Sequence, residues 1–195
     1  MDCSPGRGRT LSHFALVAYL DGPLADFLDA LRLELAPGCK PRSHVTVLPP
    51  RPVADDANLN KMIAELGEES RSTPPAEITL GNVNVFAETN VIYVGISRGA
   101  RELHALHENL NAGQLEYDGP YPYHPHITIY QNLTAPETDR ERIAKLAESA
   151  REHWARYQGP RSFTIDCLTF VQNVAPDAWV DIAKLPLAVC AGACR

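Results

Sequence analysis

Two short apolar segments of the chain each place a histidine and a threonine two positions apart. They read SHVTVL at residues 43–48, with His44 and Thr46, and YHPHITIY at residues 123–130, with His126 and Thr128. β-Branched and aromatic residues dominate both segments, which is typical of strands. Alternate side chains of a strand share a face, so we expect each His–Thr pair on one face and the Val or Ile pair on the other.

Two imidazoles and two hydroxyls suit an attack on a phosphodiester. Imidazole titrates near neutral pH, so one ring can take a proton from water while the other, still protonated, donates one to the leaving alkoxide. The hydroxyls can donate hydrogen bonds to the non-bridging oxygens. None of these steps requires a metal ion or another cofactor. We therefore predict a phosphodiesterase whose catalytic residues are His44, Thr46, His126 and Thr128.

Apolar periodicity and turn residues predict the elements that position these segments. In chain order they are a strand at 13–20, a helix at 23–37, the first motif strand closed by Pro49-Pro50, a helix at 54–70, strands at 77–86 and 91–97, a helix at 100–115, the second motif strand, a helix from about 134 to 157, and strands at 162–174 and 179–187. Strand, helix, motif strand, helix, strand occurs twice. This order indicates an internal duplication of class α/β or α+β, with one motif strand from each half facing a shared cleft.

The composition of the chain limits the kinds of molecule that it can bind. The 195 residues carry a formal charge of −6, which argues against wrapping long duplex nucleic acid because that needs a basic face. The segment 1–12 is polar and has no run long enough for a signal peptide, and no later run could span a membrane. The five cysteines are odd in number and scattered, so no disulfide framework is predicted. A cytoplasmic monomer without membrane contact is expected.

The two motifs resemble the paired signature tetrapeptides of the 2H phosphoesterase superfamily, His-hydrophobic-Ser/Thr-hydrophobic. Pro125 before the second motif and the chain length are similar to the bacterial 2′-5′ RNA ligase-like branch. The resemblance implies an α+β fold of two pseudo-symmetric lobes, with antiparallel sheets and flanking helices around a central cleft. It covers one bilobal domain at 13–187, between a flexible segment at 1–12 and a tail at 188–195. The implied activity is hydrolysis of 2′,3′-cyclic phosphates or related small nucleotide or oligonucleotide diesters.

Five residues near the motifs are candidates for substrate binding. Arg42 and Arg51 flank the first motif and could approach a phosphate. Tyr123 and Tyr130 could stack on a base, since aromatic side chains hold nucleotides without regard to sequence. Tyr130 is the better candidate of the two, because it is expected on the histidine face. His124 is expected to orient the site or to line its edge.

Three alternatives remain open from the sequence. A metal pair at His124 and His126 lacks a third local ligand, and catalytic metal sites usually have three, so no metal is predicted. RNA 2′-5′ ligation would need a basic groove for two RNA ends. The related branch often carries a basic residue after the second motif, where this chain has Tyr130-Gln131. A catalytically silent nucleotide-binding module is the third alternative, and the intact motifs argue against it.

Overall fold

The computed structural model describes residues 11–40, 42–54, 58–132, 139–175 and 178–188. Within these ranges the strands are β1 (Leu11–Tyr19), β2 (His44–Ala54), β3 (Ala76–Val85), β4 (Ile92–Arg98), β5 (His126–Tyr130), β6 (Ser162–Ile165), β7 (Cys167–Ala175) and β8 (Ala178–Pro186). The α-helices are α1 (Gly22–Leu35), α2 (Leu59–Ser72), α3 (Ala100–Leu110) and α4 (Arg140–Arg156), and a short 3-10 helix spans Gly113–Leu115.

The strands form two antiparallel sheets with helices packed against them, which confirms the predicted α+β architecture. The first sheet has the order β2-β1-β7-β8 and the second has the order β5-β4-β3-β6. The motif strands β2 and β5 therefore lie at sheet edges. These two edges pack against each other along a line that we call the seam. The fold thus brings both histidine-bearing strands to one place.

The two sheets do not coincide with the two halves of the chain, because strands are exchanged between the halves. β3 belongs to the first half but pairs with β4 and β6 in the second sheet. β7 belongs to the second half but pairs with β1 and β8 in the first sheet. A repeated order of elements does not determine which sheet a strand joins, because that choice depends on packing between distant segments. The exchange connects the two sheets through the backbone.

The inward faces of the motif strands are buried, as the alternating pattern predicts. Val45, Val47 and Ile127 are 0% exposed and Ile129 is 2% exposed. All four belong to one core cluster that includes residues of both sheets. The histidine and threonine of each motif are half-buried on the opposite face. The core therefore fixes the direction in which the polar face of each motif strand points.

The first motif strand is longer than predicted. β2 does not end at Pro49-Pro50 but continues to Ala54. Proline lacks a backbone donor, and an edge strand tolerates this because one of its sides has no partner strand. The pairing of β2 with β1 is irregular between Phe14 and Leu16, so Pro49 and Pro50 lie opposite an interrupted part of the ladder.

Other boundaries differ from the prediction for local reasons. α2 begins at Leu59 because the side chain of Asn58 accepts a hydrogen bond from the Lys61 amide at 3.0 Å, which caps the helix. α3 ends at Leu110, before the 3-10 helix. The last part of the chain forms three strands rather than two, because it changes sheets between β6 and β7.

Some predictions lie outside the described residues. They concern the first ten residues, the start of α4 near residue 134, and the tail with Cys190 and Cys194. Cys39 and Cys167, which the structure describes, are free thiols. Among the described helices, none has the length and apolar character needed to cross a membrane.

Candidate active site

His44 and His126 are held in the same way by the backbone of their own motifs. Nδ1 of His44 lies 2.7 Å from the carbonyl oxygen of Arg42, and Nδ1 of His126 lies 2.6 Å from that of His124. A carbonyl oxygen can only accept, so Nδ1 carries the proton in both rings. Nε2 is then the ring atom left for proton transfer. Each motif thus sets the tautomer of its own histidine.

Side chains from distant parts of the chain bind the backbone carbonyls of the motif strands at the seam. The Tyr123 hydroxyl donates to the Thr46 carbonyl at 3.0 Å, and Nη1 of Arg32 donates to the Thr128 carbonyl at 2.8 Å. Nδ1 of His107, on α3, lies 2.8 Å from the carbonyl of Val47. Backbone carbonyls at a sheet edge need such partners when no further strand is present. These contacts hold both motifs in fixed positions.

Burial lowers the pKa of both motif histidines. The pKa of His44 falls from 6.5 to about 4, mainly because burial disfavours the charged ring. The hydrogen bond to the Arg42 carbonyl opposes this shift. The positive charges of Arg32, His126 and Arg42 add to it. The pKa of His126 is lowered by burial and by the charge of His124, while its bond to the His124 carbonyl opposes the shift. Burial thus favours the neutral form of both rings.

An aromatic wall of Phe86 and Tyr93 borders the second motif. Their ring centroids are 4.0 Å apart and the rings are inclined by 18°. Both rings meet His126 edge-on, at 5.0 and 5.2 Å, and His124 at 5.4 and 5.5 Å. This side of the site therefore offers flat apolar surface beside an imidazole.

The first motif is bordered by a charged cluster. The Tyr19 ring meets His44 edge-on at 5.9 Å, and the Arg42 guanidinium lies 3.3 Å above the Tyr19 ring. Nη1 of Arg42 is 2.9 Å from both carboxylate oxygens of Asp181, which also accepts from the Tyr19 hydroxyl at 3.2 Å. Burial raises the pKa of Tyr19 to about 12, so its hydroxyl stays protonated. The border of the first motif thus carries charged side chains, whereas the border of the second motif is aromatic.

Tyr130 does not lie on the histidine face, and its predicted base-stacking role is wrong. It is 4% exposed and belongs to the core cluster. The pairing of β5 with β4 shifts so that Thr128 lies opposite Tyr93 while Tyr130 lies opposite the buried Ile92. This irregularity breaks the strict alternation on which the prediction depended.

Arg51 is buried, and the prediction that it contacts a phosphate is also wrong. It is 2% exposed, and its guanidinium donates to the Leu115 carbonyl, to Oδ1 of Asn111 and to the Pro49 carbonyl. Burial lowers its pKa to about 10. Its N–H groups donate to other parts of the protein, and these hydrogen bonds join β2 to the segment that follows α3.

The other predicted binding residues lie around the site with different contacts. Tyr123 stacks on His107, with ring centroids 3.9 Å apart and an angle of 3°. One face of its ring and its hydroxyl are thus used within the protein, and its contact with a base stays a prediction. His124 is exposed at the edge of the site and orients His126 through its carbonyl. Arg42 keeps 52% of its side chain exposed beside His44.

Replacing the two arginines should separate their roles. We expect Arg51→Met to lower the free energy of unfolding by roughly 1.5–3 kcal/mol, because it leaves buried acceptors without their charged donor. The matched change Arg42→Met removes an exposed ion pair and should cost about 0–1 kcal/mol. Urea unfolding followed by circular dichroism measures both values. Equal losses, or a larger loss for Arg42→Met, would contradict the assignment of Arg51 as the buried anchor.

The sequence did not reveal several residues that shape the site. They are Arg32 and His107 on helices, and Tyr19, Phe86 and Tyr93 in or beside strands. Tyr93 shares a face with the motif through its pairing with Thr128, which its alternating strand pattern could have indicated. The two helical residues act across the seam. Nothing in their local sequence marks that contact.

The described residues hold no group of three or more His, Cys, Asp or Glu side chains arranged to bind a metal ion. His124 and His126 are both near the site, with ring centroids 6.2 Å apart. Nδ1 of His126 is already bonded to a carbonyl.

The two antiparallel sheets meet along the paired His-x-Thr strands β2 and β5. The chain belongs to the 2′-5′ RNA ligase superfamily, whose family model matches residues 20–177. The resemblance found in the sequence is thereby confirmed.

Curated relatives match part of the chain. A protein of Oceanobacillus iheyensis, provisionally named a phosphoesterase, is 33% identical over 85 residues, which are 43% of this chain and 49% of the relative. A protein of Bacillus licheniformis with a similar provisional name is 27% identical over 110 residues, which are 56% of this chain and 64% of the relative. The matched region spans less than two thirds of either relative.

Solved structures match nearly the whole chain. The apo crystal structure of Escherichia coli LigT has a TM-score of 0.61 and 17% identity, covering 92% of this chain and 99% of LigT. LigT in complex with 3′-AMP gives a TM-score of 0.61 and 16% identity, with coverage of 92% and 100%. At such identities the likeness is one of fold.

Proposed function

We propose that the protein is a metal-independent phosphodiesterase that hydrolyses 2′,3′-cyclic phosphates or related small nucleotide diesters. One observation carries the proposal. The two motif histidines lie on neighbouring strands of two sheets, and each has Nδ1 bonded to a backbone carbonyl so that Nε2 is left for proton transfer. Two such rings at one seam supply the acid and the base that hydrolysis of a phosphodiester needs.

We assign His44 as the base and His126 as the acid. Of the two rings, His44 has the pKa lowered to about 4, so it is neutral in the physiological range and can accept a proton. The negative phosphodiester raises the pKa of a nearby imidazole, which allows His126 to bind substrate in its protonated form. Nε2 of His44 takes a proton from water as the water oxygen bonds to phosphorus. The bond from phosphorus to the leaving oxygen breaks, and Nε2 of His126 protonates that oxygen.

The threonines and the two borders of the site complete the proposal. The hydroxyls of Thr46 and Thr128 share the histidine face and donate to the non-bridging oxygens. Arg42 binds a phosphate oxygen from the charged side, where its guanidinium is half exposed. The nucleoside lies on the opposite side, where the aromatic wall and His124 offer a ring surface.

A small substrate is favoured over two RNA ends. The formal charge is −6, and Arg51, one of the two arginines that flank the first motif, is buried with its donors in use. Crystals of LigT, which shares the fold, have been solved with 3′-AMP and with ATP, both small nucleotides. RNA 2′-5′ ligation at the same site remains the alternative function. A groove that binds two RNA ends would need further exposed cations besides Arg42.

Turnover with a chelator present tests the proposed chemistry. We expect hydrolysis of 2′,3′-cyclic nucleotides at the same rate before and after dialysis against EDTA, because imidazoles perform both proton transfers. Product formation is followed by chromatography, with 2′-5′ dinucleotides and 3′-5′ cyclic nucleotides as comparison substrates. Loss of activity in EDTA with recovery upon addition of one divalent ion would discard the mechanism.

A further inference from the structure

Arg32 connects the two motifs from a helix that directly precedes the first motif strand and lies far from the second in sequence. It extends from α1, and its Nη1 donates to the Thr128 carbonyl of the second motif at 2.8 Å. Its charge is also the first of those that lower the pKa of His44, in the first motif. One guanidinium thus touches the backbone of one motif and acts electrostatically on the histidine of the other.

The donors of Arg32 are not fully used. Its Nε is buried and has no hydrogen-bond partner among the described residues. A buried donor left unpaired is unfavourable, and more so when it is charged. Elsewhere on the seam the Tyr123 hydroxyl and the His107 ring contact carbonyls of β2 without a guanidinium. A contact that needed only a donor would not require this cost, so the positive charge itself has a use.

We propose that Arg32 is a positioning residue for the reaction, which fixes the Thr128 backbone and holds a positive charge at the seam where the two motif strands meet. The inference rests on the proposed function. The sequence has Tyr130-Gln131 directly after the second motif, so no cation is supplied from that position. Arg32 supplies one from α1 instead. A fixed charge there favours the neutral form of the base and stabilises the negative charge that develops on the phosphoryl group.

The other groups around His44 do not replace this charge. Arg42 is paired with Asp181, and the Tyr19 hydroxyl stays protonated. His126 carries a charge only when it is protonated. Arg32 forms no ion pair with a carboxylate among the residues that the structure describes. No bonded acid therefore offsets its charge. The Asp29 carboxylate, on the same helix, accepts instead from the Ser43 amide and hydroxyl at 2.7 and 2.6 Å.

The test uses the titration of His44, followed by NMR in the intact chain, together with the rate on a 2′,3′-cyclic nucleotide. Arg32→Gln keeps a donor but removes the charge, so the titration midpoint of His44 should rise by on the order of one pH unit. Arg32→Lys keeps the charge, so its midpoint should stay near that of the native protein. Its rate should exceed that of Arg32→Gln. Arg156→Gln, at the exposed end of α4, is the matched control and should change neither quantity.

If Arg32 has only a structural role, its replacement should leave the titration midpoint of His44 unchanged. An unchanged His44 midpoint in Arg32→Gln would overturn the proposal, whatever happens to the rate. If Arg32→Gln does not fold, Arg32→Lys decides, since a raised midpoint despite the retained charge also overturns it. The titration does not depend on turnover. An inactive native protein would therefore refute the proposed function, while the titration still tests the role of Arg32.

Discussion

Replacing His44 or His126 with alanine is expected to lower kcat/KM by ~10²–10⁴ each, because a general acid or base contributes about that much. Both rings are half-buried at the seam, and neither alanine introduces a buried polar group, so we expect both variants to fold. Initial rates on a 2′,3′-cyclic nucleotide measure the losses. Circular dichroism and urea unfolding show whether each variant keeps the native fold.

The double variant tests whether the two histidines form one site. Groups that act in one transition state are not additive, so the double loss should be smaller than the product of the single losses. His153→Ala, on α4, is the control and should keep the rate of the native protein. If one histidine can be removed without loss while the other is essential, the paired mechanism is wrong and one lobe alone carries the chemistry.

The second large effect concerns stability. Ile127 is 0% exposed on the core face of β5, so Ile127→Asp buries a carboxylate without a partner. We expect a loss of about 4 kcal/mol or more in the free energy of unfolding, because burying an unpaired charge is among the most costly single changes. Urea unfolding, or the soluble fraction after expression, measures the loss.

Two companion variants give the scale for that loss. Leu33 is 44% exposed on α1, so Leu33→Asp introduces the same group and should cost about 1 kcal/mol or less. Ile127→Val should cost roughly 0.5–1.5 kcal/mol, as expected for a buried methylene. An Ile127→Asp protein with the unfolding midpoint of the native chain would mean that the faces of β5 are assigned in reverse.

The motif strands could be predicted from sequence because their signal is local. Alternation of Val45 and Val47 with His44 and Thr46 has a period of two, and the core confirms it. The same rule failed at Tyr130, because one irregular pair between β4 and β5 placed that ring in the core. A local pattern cannot report an irregularity that depends on the partner strand.

The contacts that build the site are mostly not local, and this is why they were missed. Arg32 and Thr128 are 96 positions apart, and Tyr123 and Thr46 are 77 positions apart. Arg51 was assigned to the substrate because it follows a motif, yet its partners come from the segment after α3. The exchange of β3 and β7 between the sheets has the same origin, since packing between distant segments decides it.

The pH dependence of kcat/KM, measured with EDTA present, tests the central claim most directly. That profile reports the free protein, in which His44 must be neutral and His126 protonated. The active fraction rises with pH through the His44 pKa of about 4 and falls above the His126 pKa, which lies below 6.5. We expect a bell with its maximum between these values. The residual rate of His44→Gln should lose the acidic limb, and that of His126→Gln the basic limb. A profile of the native protein that rises without a basic limb, or one that neither substitution alters, would contradict two-histidine catalysis.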